Sequence, residues 1–362
     1  MKAIRKLGAD LDALETALAT RVADVAALLE PLPEDRTPEA LDLGWRDMVA
    51  ARRKLAGFVK SAKIDIGSDD TVDGASLRQV QTLRKAISDA QKRLRYAARF
   101  ETAVRAQLAM PRRPLTPEHV PPDRDVEVMD HVVTMFLDGM HRAANPTAYT
   151  QSAEANARGF HCDIALPMLQ FSRMIAAAYR ICLAQRKTGP LRFLDVGSGG
   201  GTKVLAATTC FDQCDGLEYE QDTVETGQRL LSILSPETCR LMHGDATEFD
   251  GYGDYDVIYF YRPLADAEGA LRMEGKMFEQ AKPGTVLVVA GGLFSENLAA
   301  RGIQRLSHHI YVTGLTEGDA ALLRKRAEHM GTDVPGYGRR ALPDLGYWTV
   351  LRAACAQNGV QI

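Results

Sequence analysis

Apolar positions in the first third of the chain recur at three- and four-residue steps. Leu7, Leu11, Leu14, Leu18, Val22, Val25 and Leu29 trace one stripe down a helix. Pro31, Pro33 and Pro38 end it. The same period predicts a second helix from about Leu43 to Val59. After a turn-like, acidic stretch from Gly67 to Gly74 it predicts a long third helix, carried by Leu77, Val80, Leu83, Ile87, Leu94, Ala97 and Val104. Three amphipathic helices joined by short loops make an all-α bundle or coiled-coil hairpin over residues 1–110.

Residues 111–123, PRRPLTPEHVPPD, hold five prolines. They read as a semi-rigid linker over 111–124, the best domain boundary in the chain. Helical stretches follow around 125–142 and 163–186. From residue 191 the period changes. Short apolar runs, LRFLDV, CDGLEY, CRLMHGD, YDVIYFY and TVLVVAG, alternate with helix-like segments. That alternation predicts parallel strands in a doubly wound α/β sheet. RLSHHIYV and GYWTVLRAA are expected as the last two strands, with a charged helix, TEGDAALLRKRAEHM, between them. The second domain is therefore expected over 125–362, with its core at 191–291.

Composition adds limits. The 362 residues are 46% apolar and 25% charged, which excludes wholesale disorder and a multi-span membrane protein. The net charge of −3 excludes attraction of the whole chain to polyanions. Residues 1–124 carry 22 basic and 18 acidic side chains, so the remainder is the acidic part. Ten basic residues lie between Arg78 and Arg113, against Asp89 and Glu101 alone. The helix over 77–108 is thus either a solvated face or a docking surface for nucleic acid or an acidic protein. Of the six cysteines only Cys210 and Cys214 are close, and no second Cys/His pair stands at ligand spacing. His308 and His309 are adjacent and would face opposite sides of a strand. No metal site is expected, and the thiols read as reduced packing groups. No signal-type segment and no uncharged run of roughly 18 residues occurs. A cytoplasmic location without membrane contact is the expectation.

The strongest chemical signal is Asp195-Val-Gly-Ser-Gly-Gly-Gly-Thr, which closes a strand and opens the segment KVLAATT. Glycines at 197, 199 and 201 let the backbone turn sharply while approaching a ligand. Such a turn indicates a nucleotide-like ligand at the switch point of an α/β sheet. Asp195, two places before the first glycine, suits a cationic amino group and would repel a pyrophosphate. Glu218 ends the second strand, where a carboxylate can accept from both ribose hydroxyls. His243-Gly-Asp245-Ala246 ends the third, where Asp245 is placed to meet an adenine amino group. Alternative readings are a helix cap for Asp195, a plain strand-end turn for Asp245, and Glu220 in place of Glu218.

These pieces resemble the class I S-adenosylmethionine-dependent methyltransferases. The matching residues are LDVGSGGGT, Glu218, HGDA, DVIYFYRPL and AKPGTVLVV, within 191–291. The resemblance implies a Rossmann-like seven-stranded, mostly parallel sheet with the last strand antiparallel. It places Asp195, Gly197, Gly199 and Gly201 at the methionine end of S-adenosyl-L-methionine, Glu218 at the ribose, and Asp245 and Ala246 at the adenine. DVGSGGGTKVLAA…GLE is also similar to the Dot1-type lysine methyltransferases, but that similarity stops at the fourth strand.

Methyl transfer needs mainly alignment and exclusion of water, with a general base only for a protonated acceptor. The fourth strand ends Tyr259-Phe260-Tyr261-Arg262-Pro263-Leu264, without the Asn/Asp-Pro-Pro-aromatic signature and without a cysteine. Tyr261 and Arg262 are the candidate substrate-facing residues, Arg262 as a clamp for a carboxylate or phosphate. The resemblance folds the loop 145–161 over the cofactor, with Tyr149, Glu154, Asn156 and His161 as its polar groups. His161 is the candidate base; His131 and His141, on a helix, rank below it. The acceptor is unidentified, with a small molecule or protein favoured over nucleic acid. Self-association through the N-terminal helices is a further expectation. The alternative is a non-catalytic cofactor-binding scaffold whose helical domain docks a protein or RNA partner.

Overall fold

The computed structural model describes residues 2–67, 74–108, 112–116, 124–144, 151–161, 166–187, 189–234, 237–335 and 345–362. In chain order its helices are α1 (Lys2–Leu29), α2 (Pro38–Gly67), α3 (Gly74–Leu108), α4 (Arg124–Ala144), α5 (Ala153–Ala157), α6 (Met168–Ala184), α7 (Thr202–Ala207), α8 (Gln221–Leu234), α9 (Ala267–Gln280), α10 (Glu317–Glu328) and α11 (Trp348–Ala356). The strands are β1 (Arg192–Val196), β2 (Gln213–Glu218), β3 (Cys239–His243), β4 (Val257–Phe260), β5 (Val286–Val289), β6 (Gln304–Ser307) and β7 (Ile310–Val312). Two compact units result, one of Met1–Pro111 with Arg340–Ile362, the other Arg112–Arg339.

The first unit is helical. The α1 stripe Leu11, Leu18, Val22, Val25 and Leu29 is buried against Leu41, Trp45, Met48 and Leu55 of α2 and Ile87, Phe100 and Val104 of α3. The C-terminal segment joins this core. GYWTVLRAA, expected as a strand, forms α11. Its buried residues Trp348, Leu351 and Cys355 recur at helical steps, and Val350 is exposed. Trp348 stacks on Phe100 at 4.7 Å and its indole N–H donates to the Arg93 carbonyl at 3.1 Å. Asn358 closes the end, donating to the Leu29 carbonyl at 3.1 Å. The sheet domain expected over 125–362 is therefore shortened at its C-terminal end.

The second unit holds a seven-stranded sheet of order β3-β2-β1-β4-β5-β7-β6. β1 through β5 are parallel, and β7 runs antiparallel to both neighbours. This is the Rossmann-like, mostly parallel seven-stranded sheet with an antiparallel last strand expected from the sequence. Strands β4 and β5 are buried throughout, as in a parallel sheet covered on both faces. RLSHHIYV, expected as one strand, is the β6–β7 hairpin. His308 and His309 occupy its turn instead of alternating along a strand.

The first half of the proline-rich segment is pinned to this unit rather than spanning as a linker. The buried Arg180 of α6 donates to the carbonyls of Arg113 at 2.6 Å, Pro114 at 3.1 Å and Ala327 at 3.1 Å. Arg112 pairs with Glu328 of α10 at 2.6 Å. Residues 117–123 lie outside the described residues. Among the described residues no helix is long and apolar enough to cross a membrane.

Candidate active site

The strand order reverses between β1, whose other neighbour is β2, and β4. A crevice opens at their C-terminal ends, where α/β sheets bind ligands. The glycine loop bridges it. Gly197, Gly199 and Gly201 all adopt positive φ, +78°, +51° and +79°, which a side chain would oppose. A Cβ on Gly197 would also stand 2.9 Å from Pro263, so the loop passes close to the chain leaving β4.

The loop is held from within. The N–H groups of Gly197 and Ser198 both donate to the Leu217 carbonyl, at 2.8 and 3.1 Å, and that of Gly201 donates to the Ser198 carbonyl at 3.0 Å. The Gly199 N–H donates to Glu218 Oε2 at 2.9 Å. Glu218 Oε1 accepts from the Tyr219 and Glu220 N–H groups at 2.9 and 3.0 Å. The carboxylate thus locks the end of β2 to the loop while facing the crevice. With four loop amides committed inside the chain, little of the loop is left to cradle a pyrophosphate.

One cleft is lined by Asp195, Gly197, Gly199, Glu218, Ala246, Tyr261, Arg262 and His161. It therefore gathers most of the residues that the sequence singled out. Asp195 is 2% exposed and pairs in register with Gly216 on one side and Tyr259 on the other. Gly201 does not line the cleft; a Cβ there would meet Leu231 and Leu241, so its role is to let α7 pack on α8 and β3. Asp245 does not line it either. Its Oδ1 accepts from the Thr247 N–H at 2.8 Å and hydroxyl at 2.7 Å, and its Oδ2 pairs with Arg158 at 3.0 Å. The strand-end turn is therefore what this carboxylate serves in the structure, and Gly244 and Ala246 face the cleft in its place.

The segment 151–161 lies across the strand ends. Ser152 caps α5 through the Ala155 N–H at 3.0 Å and its own N–H donates to Glu220 at 2.8 Å. Phe160 stacks on Tyr219 at 4.2 Å, and the Tyr219 hydroxyl donates to Glu154 at 2.9 Å. The His161 N–H donates to the Pro263 carbonyl at 3.1 Å, which brings its exposed ring to the mouth beside Tyr261. Tyr149 lies outside the described residues, and Asn156 is exposed away from the lining. Arg262 has φ +45°, and its side chain crosses Gly291, where a Cβ would stand 2.5 Å from Cγ.

Lys203 and Tyr259 line the cleft without having been singled out from the sequence, and His141, ranked below His161 there, lines it too. Lys203 stands on α7 directly after the glycine loop, a position that sequence could have flagged. His141 of α4 lies against Gly200, where a Cβ would meet its ring at 2.2–2.8 Å. Tyr259 is 1% exposed, and its hydroxyl has no hydrogen-bond partner among the described residues. Burial first, then the charge of Asp195, raises its pKa far above the ordinary tyrosine value. It is a neutral donor at any working pH. Within the strand it reads as an ordinary core residue; only the β1–β4 register reveals it beside Asp195.

No protein-family model matches the chain, and no curated protein matches it in sequence. Solved structures similar to it include an RNA methyltransferase from Salinibacter ruber in complex with S-adenosyl-L-homocysteine, 20% identical with a TM-score of 0.32 over 42% of this chain and 95% of that one. A second is an amino pentose methyltransferase from Micromonospora echinaspora, 23% identical with a TM-score of 0.29 over 36% and 59%. A third is a methyltransferase from Thiobacillus denitrificans in complex with S-adenosyl-L-homocysteine, 18% identical with a TM-score of 0.27 over 37% and 52%. The chain spans little more than half the length of the last two.

Proposed function

We propose that this protein is an S-adenosyl-L-methionine-dependent methyltransferase. The observation that carries the reading is the joint placement of buried Asp195, the positive-φ Gly197 and Gly199 and the loop-locking Glu218 around one cleft. A dinucleotide site offers loop amides to phosphates; here four are committed and a carboxylate lies beneath them. That donor set suits a ligand with a cationic amino group and a ribose but no phosphate. The cofactor's fit is supported by the buried Tyr259 hydroxyl, which has no hydrogen-bond partner among the described residues and belongs to a side chain lining the cleft.

In this reading Asp195 holds the amino group, Glu218 the ribose hydroxyls, and Gly244 and Ala246 border the adenine. The stacked Phe160 and Tyr219 wall that side and exclude water. When bound, the sulfonium supplies a methyl carbon that is already electrophilic. Tyr261, Arg262 and His161 stand at the mouth, where an acceptor enters. Arg262 orients an anionic group on it, and His161 takes the proton of an acceptor that arrives protonated. Proximity and alignment supply most of the acceleration.

The test is transfer of a tritiated methyl group from the cofactor into cell extract, separated into small molecules, protein and RNA. Label in the small-molecule or protein fraction, lost in Glu218→Ala, is the expected result. Label in no fraction favours the scaffold reading.

A further inference from the structure

We propose that α4 is a dimerisation helix, whose apolar side pairs antiparallel with the same helix of a second copy of this chain. Amphipathic helices turn their apolar side toward the core. α4 does the reverse. Among its described side chains, those withdrawn from solvent are Asp130, Thr134, Leu137 and His141, at steps of four, three and four. Asp130 accepts from the Leu169 N–H at the start of α6 at 2.9 Å, and His141 lies against Gly200. The packed side of the helix is thus its polar side.

The opposite side carries Val128, Met129, Val132, Met135, Phe136 and Met140, each 42–63% exposed. Soluble surfaces carry such side chains singly; six along one helix mark an interaction surface. The charges of the helix decide what covers it. A membrane-surface helix flanks its apolar side with Lys and Arg. The first turn of α4 instead holds Asp125 and Glu127 against Arg124, and anionic headgroups repel that balance. The last turn is basic, with His141 and Arg142. The two ends are therefore complementary to each other.

Related by a two-fold axis, two copies of α4 run antiparallel, so each acidic end meets the other's basic end and the helix dipoles oppose. The apolar pattern is self-complementary in the same arrangement. Met129, Val132, Phe136 and Gly139 stand at steps of three, four and three, the spacing of a coiled-coil seam. With the axis midway between Val132 and Phe136, Val132 of each copy faces Phe136 of the other, and Met129 faces Gly139. Nothing lies within 4 Å of where a Cβ on Gly139 would stand, so a large side chain has room opposite it. Asp125 of each copy then lies beside Arg142 of the other.

Sedimentation equilibrium of the full chain over about 1–100 μM tests this, the range expected of a helix pair smaller than a standard interface. The wild type should dimerise. Phe136→Glu should weaken the dimer at least about a hundredfold, without lowering the melting temperature of the dilute protein, because Phe136 is exposed. Asp125→Arg and Arg142→Asp should each weaken self-association about fivefold or more, since like charges then meet at both ends. An equimolar mixture of the two should recover a dimer of near wild-type affinity. A chain monomeric throughout the range overturns the proposal. So does a dimer that survives Phe136→Glu, which places the pairing elsewhere, as on the N-terminal helices. Charge variants that pair as well as wild type, or a mixture that does not recover, overturn the antiparallel arrangement. Binding of a monomeric chain to vesicles of phosphatidylcholine and phosphatidylserine, lost in Phe136→Glu, assigns the surface to a membrane and overturns the dimer.

Discussion

Replacing Glu218 by glutamine keeps the side-chain shape and removes its charge and one acceptor oxygen. In the native loop Oε2 accepts from Gly199 at 2.9 Å, and Oε1 accepts from Tyr219 and Glu220 at 2.9 and 3.0 Å. Glutamine can satisfy one of these two sets; its amide N–H₂ then confronts the other. Hydrogen bonds to a charged group contribute about 1.5–3 kcal/mol and neutral ones about 0.5–1.5 kcal/mol. One lost bond and two weakened ones amount to about 3 kcal/mol, reduced to about 2 kcal/mol because water in the cleft can reach the orphaned amide. For a unit the size of Arg112–Arg339 the melting temperature should fall by about 4–8 °C. Loss of an ionised acceptor for two ribose hydroxyls should weaken S-adenosyl-L-homocysteine by about 30- to 150-fold. Thermal denaturation and calorimetry on the same preparations read the two effects separately. A lower melting temperature with unchanged affinity would refute the ribose role. No change in either would refute the whole account of how the loop is locked.

Three further perturbations test other parts of the structure. Gly197→Ala forces an L side chain into φ +78° against Pro263; it should cost about 1–2 kcal/mol in urea denaturation and weaken nucleoside binding by at least about tenfold. Glu328 is desolvated, which alone would raise its pKa, but Arg112 and Arg324 outweigh this and hold it below the ordinary 4.5. Its pairs therefore stabilise the fold fully above that value and are lost as pH falls through the lower folded pKa. Glu328→Gln should cost about 1–2 kcal/mol at pH 7, with the gap to wild type closing below about pH 4 in pH-dependent melts. Trp348→Ala removes the stack on Phe100 and the bond to the Arg93 carbonyl; it should destabilise the helical unit by about 3–5 kcal/mol in denaturant titrations, whereas a surface location for α11 would make it nearly neutral.

The sheet was legible because its central strands are unbroken apolar runs and because the glycine loop marks the strand-to-helix turn at Asp195. The helices of the first unit were legible from their stripes. The C-terminal helix was not. Trp348, Thr349 and Val350 favour a strand locally, and the deciding partners, Phe100 and the Arg93 carbonyl, lie some 250 residues away in the chain. RLSHHIYV hides a turn because no glycine or proline marks it; Arg305 reaches the His308 carbonyl and closes it from the side. At the site, strand-end position placed Asp195 and Glu218 in the cleft. Position could not show that Arg158 and Thr247 occupy Asp245, since that pairing depends on how 151–161 crosses the strand ends. Tyr259 needed the β1–β4 register, which sequence spacing does not supply.

Calorimetric titration of the full chain with S-adenosyl-L-homocysteine, against nicotinamide adenine dinucleotide in parallel, tests the central claim most directly. Saturable one-to-one binding of the first, abolished by Glu218→Ala, with no heat from the second, is the predicted result. Binding of the dinucleotide, or of neither, contradicts it.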